Sequence, residues 1–432
     1  MQRLTQQFLL PAEARAQIIS RMLNWSRRFS ILLFLDSSGY HLPHGRYDWL
    51  FAIDAITVLK PGSEDFLAAL YNWHQLNQDW LFGHIAYDFK NSLEPGLSSR
   101  HEPAAGWDDI FFYQPRIVCY QEHGSRYMTI ACLDDQPAEI YAQIMMSPPV
   151  AVQEPHGVCF NPRVEKEKYL EIVRKLQRHI KDGDCYEINY CTEGYCRHAS
   201  IDTVSIYLKL NKLSPAPFAA MYRNHLLSMV CASPERYLFR HGDRVLSQPI
   251  KGTAPRSRDE VEDAKNKLDL FHSEKNRAEN VMIVDLVRND LARCCEPGYV
   301  TVDELFGIYS FPQVHQMIST VSGKLKPGLP FTDAIRFSFP MGSMTGAPKY
   351  KVMQLIDHYE SSGRELFSGS VGYIDPGGNF DLNVIIRSLF YNEATGYLNY
   401  MTGGAITADS IPEEEFEEMR LKAWALERIF AG

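Results

Sequence analysis

Residues 1–145 are dominated by short apolar runs that turn residues separate from one another. The runs are rich in β-branched and aromatic side chains, a composition typical of strands. They predict strands at 31–35, 49–53, 81–89, 111–119 and 127–133. We therefore expect residues 1–145 to form a strand-rich N-terminal portion.

Beyond a proline-containing linker at 146–162, helical and strand patterns alternate. Apolar residues recur at helical spacing from Tyr169 to Ile180, and Gly183 is predicted to end that helix. Further helices are predicted at 203–212, 273–295 (with Ser273 as N-cap) and 413–429, and strands at 186–196 and around Phe218 and Leu226. Because the alternation has no regular βαβ rhythm, we expect an α+β fold. Residues 146–432 would be its second region, interleaved with the first in one globular unit.

The composition is that of a globular protein, and it excludes several classes. Hydrophobic residues make up 45% and charged residues 22% of the 432 positions, and the net charge is −9. A nucleic-acid-binding protein would carry a basic stripe, which this sequence lacks. No apolar run is long enough to span a bilayer, the N-terminus has no signal-peptide core, and the nine cysteines include no CxxC pair. We therefore expect a cytoplasmic protein with no membrane or nucleic-acid partner.

Lys251 lies in the run 249–256, where the step Gly252–Thr253 is flanked by prolines. Such a step predicts a rigid turn that holds the lysine in place. An enclosed lysine can act as a nucleophile, which arginine cannot. The alternative is an exposed lysine in a proline-bracketed loop.

Two glutamates on separate helices are candidate metal ligands. Glu279 lies on an apolar-leaning helix face, where a carboxylate is costly to bury unless it is paired or bound to a metal. Glu418 lies on the C-terminal helix, one turn before Lys422. Two carboxylates suit Mg²⁺, which keeps water and substrate oxygens as its other ligands. The alternatives are a salt bridge from Glu279 to Arg277 and an exposed ion pair between Glu418 and Lys422.

Two glycine-rich segments, 339–349 and 402–410, are candidate anion sites. The first leads into a helix predicted from about Tyr350, and small residues at a helix N-terminus leave backbone amides free for an anion. The second would let a ligand approach the backbone closely.

Arg387 is a cation in the otherwise apolar, strand-like run 383–390. An arginine in such a place is most often a bidentate partner of a carboxylate. Together with Lys349, Lys422 and the glycine-rich segments, it predicts a site for a small dicarboxylate.

The order of these motifs resembles that of the chorismate-utilising enzymes. These include anthranilate synthase large subunits, aminodeoxychorismate synthase component I, and isochorismate and salicylate synthases. The resemblance rests on the segments 233–235 (Ser-Pro-Glu), 249–256, 277–291, 342–349 and 403–418, with weaker similarity at 33–37 and 83–91. It covers nearly the whole chain. It implies antiparallel sheets packed with outer helices and an active site in the cleft between them.

The resemblance also implies a role for each matching residue. Glu279 and Glu418 would hold Mg²⁺, Glu235 would protonate the departing 4-hydroxyl of chorismate, and Arg387 would hold the enolpyruvyl carboxylate. A carboxyl whose pKa is raised by enclosure suits the role of Glu235. The other substrate-binding positions would be Gly252, Thr253, Gly342, Thr345, Gly346, Gly403, Gly404, Lys422 and Glu187.

Lys251 distinguishes among the members of the family. Anthranilate synthases usually have alanine at this position, whereas aminodeoxychorismate synthases often have a lysine that attacks C2 before ammonia adds at C4. Water-adding members have a lysine base where this chain has Glu187. The resemblance is therefore closest to aminodeoxychorismate synthase component I, which makes 4-amino-4-deoxychorismate for p-aminobenzoate and folate. The alternatives are anthranilate synthase component I and a non-enzymatic regulatory subunit that binds chorismate or tryptophan.

Two further expectations concern a histidine and the source of ammonia. The family usually has histidine where Gln316 stands, and a one-residue shift would let His315 serve instead. No cysteine has the glycine-rich surroundings of a glutaminase nucleophile. We therefore expect a separate glutaminase subunit to supply ammonia, in a heterodimer with this chain.

Overall fold

The computed structural model describes residues 2–11, 15–59, 65–155, 157–311 and 314–431, in which the apolar runs form antiparallel strands. The strands are β1 (Leu4–Leu9), β2 (Ile31–Asp36), β3 (Tyr47–Leu59), β4 (Leu81–Ile85), β5 (Ile110–Glu122), β6 (Tyr127–Cys132), β7 (Asn161–Pro162), β8 (Glu187–Cys196), β9 (Phe218–Asn224), β10 (Leu227–Ser233), β11 (Arg236–His241), β12 (Arg244–Gln248), β13 (Ile250–Pro255), β14 (Thr301–Ser310), β15 (Val314–Lys324), β16 (Gly346–Ala347), β17 (Ser370–Ile374), β18 (Phe380–Asn383), β19 (Ser388–Asn392) and β20 (Tyr397–Ile406). The helices are α1 (Arg15–Ser26), α2 (Phe66–Asn77), α3 (Lys90–Leu93), α4 (Pro137–Met146), α5 (Lys166–Lys181), α6 (Thr203–Leu213), α7 (Glu260–His272), α8 (Glu274–Cys294), α9 (Asp333–Ser338), α10 (Lys349–Tyr359) and α11 (Pro412–Arg428). Two 3₁₀ turns lie at Tyr87–Phe89 and Gly342–Met344.

Strand β5 is shared by two antiparallel sheets. One sheet runs from β5 through β3, β2, β9, β10, β19 and β20 to β8. The other runs from β5 through β4, β17, β18, β11 and β12 to β15, which also pairs with β13 and β14. Strands on the two sides of the linker pair directly, as β2 does with β9 and β4 with β17. The division of the chain into regions 1–145 and 146–432 therefore stays a prediction from the sequence.

The largest apolar core includes side chains from both sheets. Phe82, Phe112 and Tyr113 are fully buried there, together with Leu382 and Leu238. Truncating a buried side chain of this size typically costs about 2–5 kcal/mol of stability. Two further cores lie beneath the outer helices, one largely under α1, α4 and α6 and one under α5, α10 and α11. The helices therefore cover the sheets from outside and hold the ends of the strands in place.

The helices predicted in the second region are confirmed. In α5 the residues Tyr169, Ile172 and Leu176 are buried at helical spacing, and Gly183, with φ +85°, follows its end. Helix α8 begins after Ser273, whose hydroxyl accepts a hydrogen bond from the Asn276 amide. Among the helices of the described ranges, none is both long and apolar enough to cross a membrane.

The N-terminal portion contains helices that the strand prediction missed. Helices α1, α2 and α4 alternate with the strands, and the strand predicted at 81–89 ends at Ile85 before a 3₁₀ turn. Helix α2 is fixed by its cap, because the Asp65 carboxylate accepts hydrogen bonds from the amides of Leu67 and Ala68. Apolar spacing alone did not indicate this cap.

Two further predictions about the backbone were wrong. The run 383–390 is not one strand, because residues 384–387 lie between β18 and β19 and bond instead to Ala232 of β10 and to Glu235, which follows β10. The run 249–256 is not a turn. It forms β13, with a register shift after Ile250 where Gly252 takes φ +96°.

Candidate active site

Lys251 and Glu187 form a buried ion pair where the ends of the two sheets meet. The Lys251 ammonium on β13 donates to Oε1 of Glu187 on β8 at 2.5 Å, and the side chains are 9% and 1% exposed. The second oxygen of Glu187, Oε2, is buried and has no hydrogen-bond partner in the part of the chain that the structure describes. The alternative of an exposed lysine is therefore wrong.

The electrostatic surroundings keep Lys251 protonated. Burial lowers the pKa of its amine, but the negative charges of Glu187, Glu279 and Glu235 outweigh burial, and the pKa lies above its ordinary value. To act as a nucleophile the ammonium must first lose a proton. Glu187 is the acceptor within hydrogen-bond distance.

Glu235 follows β10 in the Ser-Pro-Glu segment, and its side chain is buried. Burial raises the pKa of its carboxyl to about 7. A hydrogen bond from the Ser343 hydroxyl to Oε1, 2.7 Å long, and the charges of Lys251 and Arg387 oppose that rise. A carboxyl with this pKa can hold a proton near neutral pH and give it up to a leaving group.

Arg387 is brought beside Glu235 by the break between β18 and β19. Its backbone has φ +52°, and its carbonyl accepts a hydrogen bond from the Ala232 amide at 3.1 Å. Burial lowers the pKa of its guanidinium, and the charge of Glu235 opposes this. The guanidinium makes no hydrogen bond or ion pair with any residue of the described ranges, so its donors are available to a carboxylate ligand.

Glu279 lies on α8 and is half-buried. Burial raises the pKa of its carboxyl, and the charge of Lys251 lowers it in part. Arg277 lies over the ring of Phe306, 4.7 Å from its centroid, and forms no ion pair with Glu279. The salt bridge that the sequence left open is therefore not formed.

Glu418 and Lys422 form the ion pair on α11 that the sequence analysis gave as the alternative to a metal ligand, and Lys422 also contacts a glycine-rich strand. Their charged atoms are 2.8 Å apart, and the Lys422 ammonium donates to the Gly403 carbonyl at 2.8 Å. Lys422 is the main cause of a lowered pKa at Glu418. A Cβ placed on Gly404 would lie 3.3 Å from Oε2 of Glu415 and 4.0 Å from Oε1 of Glu418. Both carboxylates therefore converge on the Gly404 backbone.

Glu415 is a buried carboxylate that the sequence analysis missed. Its Oε1 accepts a hydrogen bond from Ser410 at 2.8 Å and lies 3.6 Å from the Lys275 ammonium. Its charge acts on the carboxyl of Glu279, and the charges of Glu415, Glu279 and Glu418 all act on Lys275. Glu415 therefore lies near the two predicted Mg²⁺ ligands, although oxygens of the three carboxylates do not all lie within 4.8 Å of one another. The position of Glu415, one turn before Glu418 on the same helix, was a usable signal in the sequence. It was missed because three consecutive glutamates at 413–415 are typical of the solvated first turn of a helix.

The predicted glycines serve close packing around the site. Gly346 has φ +138°, and a Cβ there would lie 2.1 Å from the Glu187 carbonyl, so only glycine fits beside β8. A Cβ on Gly342 would meet the Leu286 side chain of α8 at 2.6 Å. The Thr345 hydroxyl donates within its own loop, to the Met341 carbonyl at 3.2 Å. Gly252 packs on Asn276, Thr253 is exposed, and Gly403 pairs with Cys191 of β8.

Two predicted groups are engaged elsewhere. Lys349 donates to Oδ2 of Asp290 at 2.6 Å, so it is not part of the cation set that the sequence predicted. Both ring nitrogens of His315 have partners: Nδ1 contacts the Ser310 hydroxyl, and Nε2 contacts Asp263 of α7. Gln316 has a buried, unpartnered Oε1. Which of the two residues fills the family's histidine position stays a prediction.

A second buried ion pair, also missed, positions the glycine-rich loop. Arg364 and Glu360 are 2.6 Å apart and almost fully buried. Arg364 donates to the carbonyls of Met344 and Asn189, and Glu360 accepts from the Cys191 amide. The pair fastens the loop to β8. In the sequence, the four-residue spacing of Glu360 and Arg364 resembles an exposed ion pair on a helix. Helix α10 ends at Tyr359, however, so the two residues lie in the segment after the helix.

Relatives of known name align with most of this chain. The model of the chorismate binding enzyme family matches residues 56–428. The chloroplastic aminodeoxychorismate synthase of Arabidopsis thaliana is 37% identical over 366 residues, which are 79% of this chain and 39% of that protein. Aminodeoxychorismate synthase component 1 of Klebsiella aerogenes is 36% identical over 342 residues, 78% of this chain and 74% of that protein. The chain thus spans well under half of the plant relative's length.

A solved structure shows the same fold. Anthranilate synthase component I from Streptococcus pneumoniae superposes with a TM-score of 0.76 at 22% identity, covering 89% of this chain and 93% of that one. The expected α+β architecture of antiparallel sheets with outer helices is confirmed. Because the family model matches most of its length, the chain belongs to the family of chorismate-binding enzymes.

Proposed function

We propose that this chain aminates chorismate at C4 to give 4-amino-4-deoxychorismate, as a component of aminodeoxychorismate synthase. The observation that carries the proposal is the buried Lys251 in contact with Glu187, beside the protonatable carboxyl of Glu235. Relatives named aminodeoxychorismate synthase align with most of the chain and support the same activity.

The first half of the reaction replaces the hydroxyl with the lysine. Glu187 takes a proton from the Lys251 ammonium, and the amine attacks C2 of the ring. The ring double bonds shift and the C4–O bond breaks. Glu235 gives its proton to the departing hydroxyl, which leaves as water. General acid catalysis of this kind contributes typically 10²–10⁴-fold to the rate.

The second half releases the lysine. Ammonia attacks C4, the double bonds shift back, and the C2–N bond to Lys251 breaks. The released Lys251 amine takes back its proton from Glu187. The new ammonium on C4 loses a proton, which restores Glu235 to its acid form. Chorismate and ammonia thus give aminodeoxychorismate and water, with no oxidant or reductant.

Two carboxylates of the substrate need separate partners. Arg387 has free donors for the enolpyruvyl carboxylate. Glu279 and Glu418, with Glu415 beside them, would hold Mg²⁺, which supplies positive charge at the ring carboxylate when it is bound. The predicted glycines and Lys422 would line the rest of the substrate site.

We also propose that a separate glutaminase subunit delivers the ammonia. The name of the Klebsiella relative, component 1, implies that this relative has a partner component. A glutaminase needs a nucleophilic cysteine in a sharp glycine-rich turn. All nine cysteines here are free thiols, eight of them are buried, and the exposed Cys159 lies in an irregular segment rather than in a strand-to-helix turn. Free thiols also fit the reducing cytoplasm that the sequence analysis expects.

The test is product identification. The purified chain is incubated with chorismate, Mg²⁺ and ammonium, and products are resolved by chromatography and mass spectrometry. We expect aminodeoxychorismate from the wild type and none from Lys251→Ala. Appearance of fluorescent anthranilate without an added lyase would instead establish the anthranilate synthase alternative. Absence of any turnover with intact chorismate binding would support the regulatory alternative.

A further inference from the structure

Two histidines and an aspartate that have no role in the proposed reaction converge at the turn between β5 and β6. Nδ1 of His123 lies 2.5 Å from Oδ1 of Asp48 and 3.3 Å from Nδ1 of His41. Nδ1 of His41 lies 3.7 Å from the same Asp48 oxygen. The three groups come from different segments: the loop 37–46, strand β3 and the turn after β5.

The spacing of the three atoms matches the coordination of a small metal ion. With bonds of about 2.0–2.1 Å, two ligands of a tetrahedral Zn²⁺ ion lie about 3.3 Å apart. The two distances to His41 are close to this value, and the His123–Asp48 contact of 2.5 Å would have to lengthen by less than about 1 Å. Two imidazoles and one carboxylate form a ligand set typical of Zn²⁺ sites that keep a position for water.

The surrounding backbone holds two of the ligands in place. The His123 amide donates to the Arg46 carbonyl at 2.9 Å, and the Ser37 amide donates to the Asp48 carbonyl at 3.0 Å. The His123 ring packs against Gly45, where a Cβ would lie 2.9 Å from Nε2. Both side chains are mostly buried, at 20% and 14% exposure. His41 is 66% exposed and can complete the site from solvent.

Among the described residues, no lysine or arginine forms an ion pair with the Asp48 carboxylate. Arg46 pairs with Glu122 at 2.9 Å, and Arg15 pairs with Asp36. Within the described residues the carboxylate contacts only the two histidines.

We propose that His41, Asp48 and His123 bind a divalent transition-metal ion of the Zn²⁺ type. The ion would clamp the loop 37–46 to the turn between β5 and β6. Tyr40, Leu42 and Gly45 of that loop line a cavity, so the bound metal would hold this part of the cavity wall in place.

The test uses the untagged chain dialysed against Zn²⁺ with Mg²⁺ in large excess, which would occupy the proposed carboxylate site on α8 and α11. Bound zinc is measured by elemental analysis. We expect one Zn²⁺ per chain, with affinity lowered at least about tenfold in His41→Ala and Asp48→Asn. His358→Ala, which removes an exposed histidine on α10, serves as the matched control and should bind as the wild type does.

A spectroscopic measurement separates this site from incidental binding. Co²⁺ in place of Zn²⁺ should give visible absorption in the wild type and in His358→Ala, and none in His41→Ala. Because His41 is largely exposed, this variant should fold normally. Equal zinc uptake and equal Co²⁺ spectra in the wild type and His41→Ala, or no uptake at all, would overturn the proposal. The amination assay is independent of either outcome.

Discussion

Removing the Ser343 hydroxyl should move the alkaline limb of the amination rate to higher pH. Glu235 must carry a proton to protonate the leaving hydroxyl, and its pKa is about 7. The rate should therefore fall as pH rises above 7. The hydrogen bond from Ser343, 2.7 Å long, favours the ionised carboxylate and so lowers that pKa. Ser343→Ala removes the bond and should raise the pKa.

The size of the effect follows from the strength of that bond. A hydrogen bond to a charged group contributes about 1.5–3 kcal/mol, against about 0.5–1.5 kcal/mol for a neutral pair. The difference, about 1.4 kcal/mol, corresponds to about one pH unit. At pH 8 the protonated fraction of Glu235 should then rise from about a tenth to about a half, so the rate relative to its plateau should increase about fivefold.

The assay is the pH profile of kcat/KM for chorismate between about pH 6 and 9, with the concentration of free ammonia held constant. Ser338→Ala is a matched control, because that buried hydroxyl bonds to Tyr237 and not to Glu235. Its limb should stay at the wild-type position. A limb in Ser343→Ala that is unmoved, or that moves to lower pH, would refute the assignment of Glu235 as the acid.

Three further changes test the remaining groups. Lys251→Ala should lower C4 amination at least about 10²-fold, measured by product formation, while calorimetric Mg²⁺ binding is retained. Glu279→Ala should weaken Mg²⁺ and chorismate binding together, and an unaltered Mg²⁺ dependence would exclude its role as a ligand. Glu235→Gln tests how Glu235 affects stability. Because the pKa of Glu235 is raised from 4.5 to about 7, its contribution to the free energy of unfolding is fully present below pH 4.5 and is lost as pH rises through 7. Denaturation at pH 5 and pH 8 should show the variant gaining up to about 3 kcal/mol relative to the wild type at the higher pH, and parallel behaviour would contradict the burial argument.

The sequence predicted the elements whose signals are local. Helix α8 was found from its cap at Ser273, and the end of α5 from Gly183, because each signal lies within one turn of the boundary. Strand β2 was found from a continuous apolar run. The N-terminal helices were missed because their apolar faces are short and alternate with strands, so packing rather than pattern decides them.

The site was predictable as a set of residues but not as a set of contacts. Motif order pointed to Lys251, Glu235 and Glu279, and the structure brings their charges together. That Glu187 is the partner of Lys251 depends on two sheet ends meeting, which joins residues 64 positions apart. Lys349 was assigned wrongly for the same reason, since its partner Asp290 lies on another helix.

The charges around Lys251 favour both a divalent ion and a proton when the proposed dicarboxylate substrate binds. The ionisable groups that act on one another there are the acids Glu187, Glu235, Glu279, Glu415 and Glu418 and the cations Lys251, Lys275, Lys422 and Arg387. With every group charged, the acids exceed the cations by one. A dicarboxylate substrate would leave three uncompensated negative charges in a partly buried cleft, which is strongly unfavourable. A divalent cation removes two of them, and a proton on Glu235 removes the third. The pKa of about 7 at Glu235 therefore does more than supply an acid, because it lets the loaded site approach neutrality at the pH where the chemistry runs.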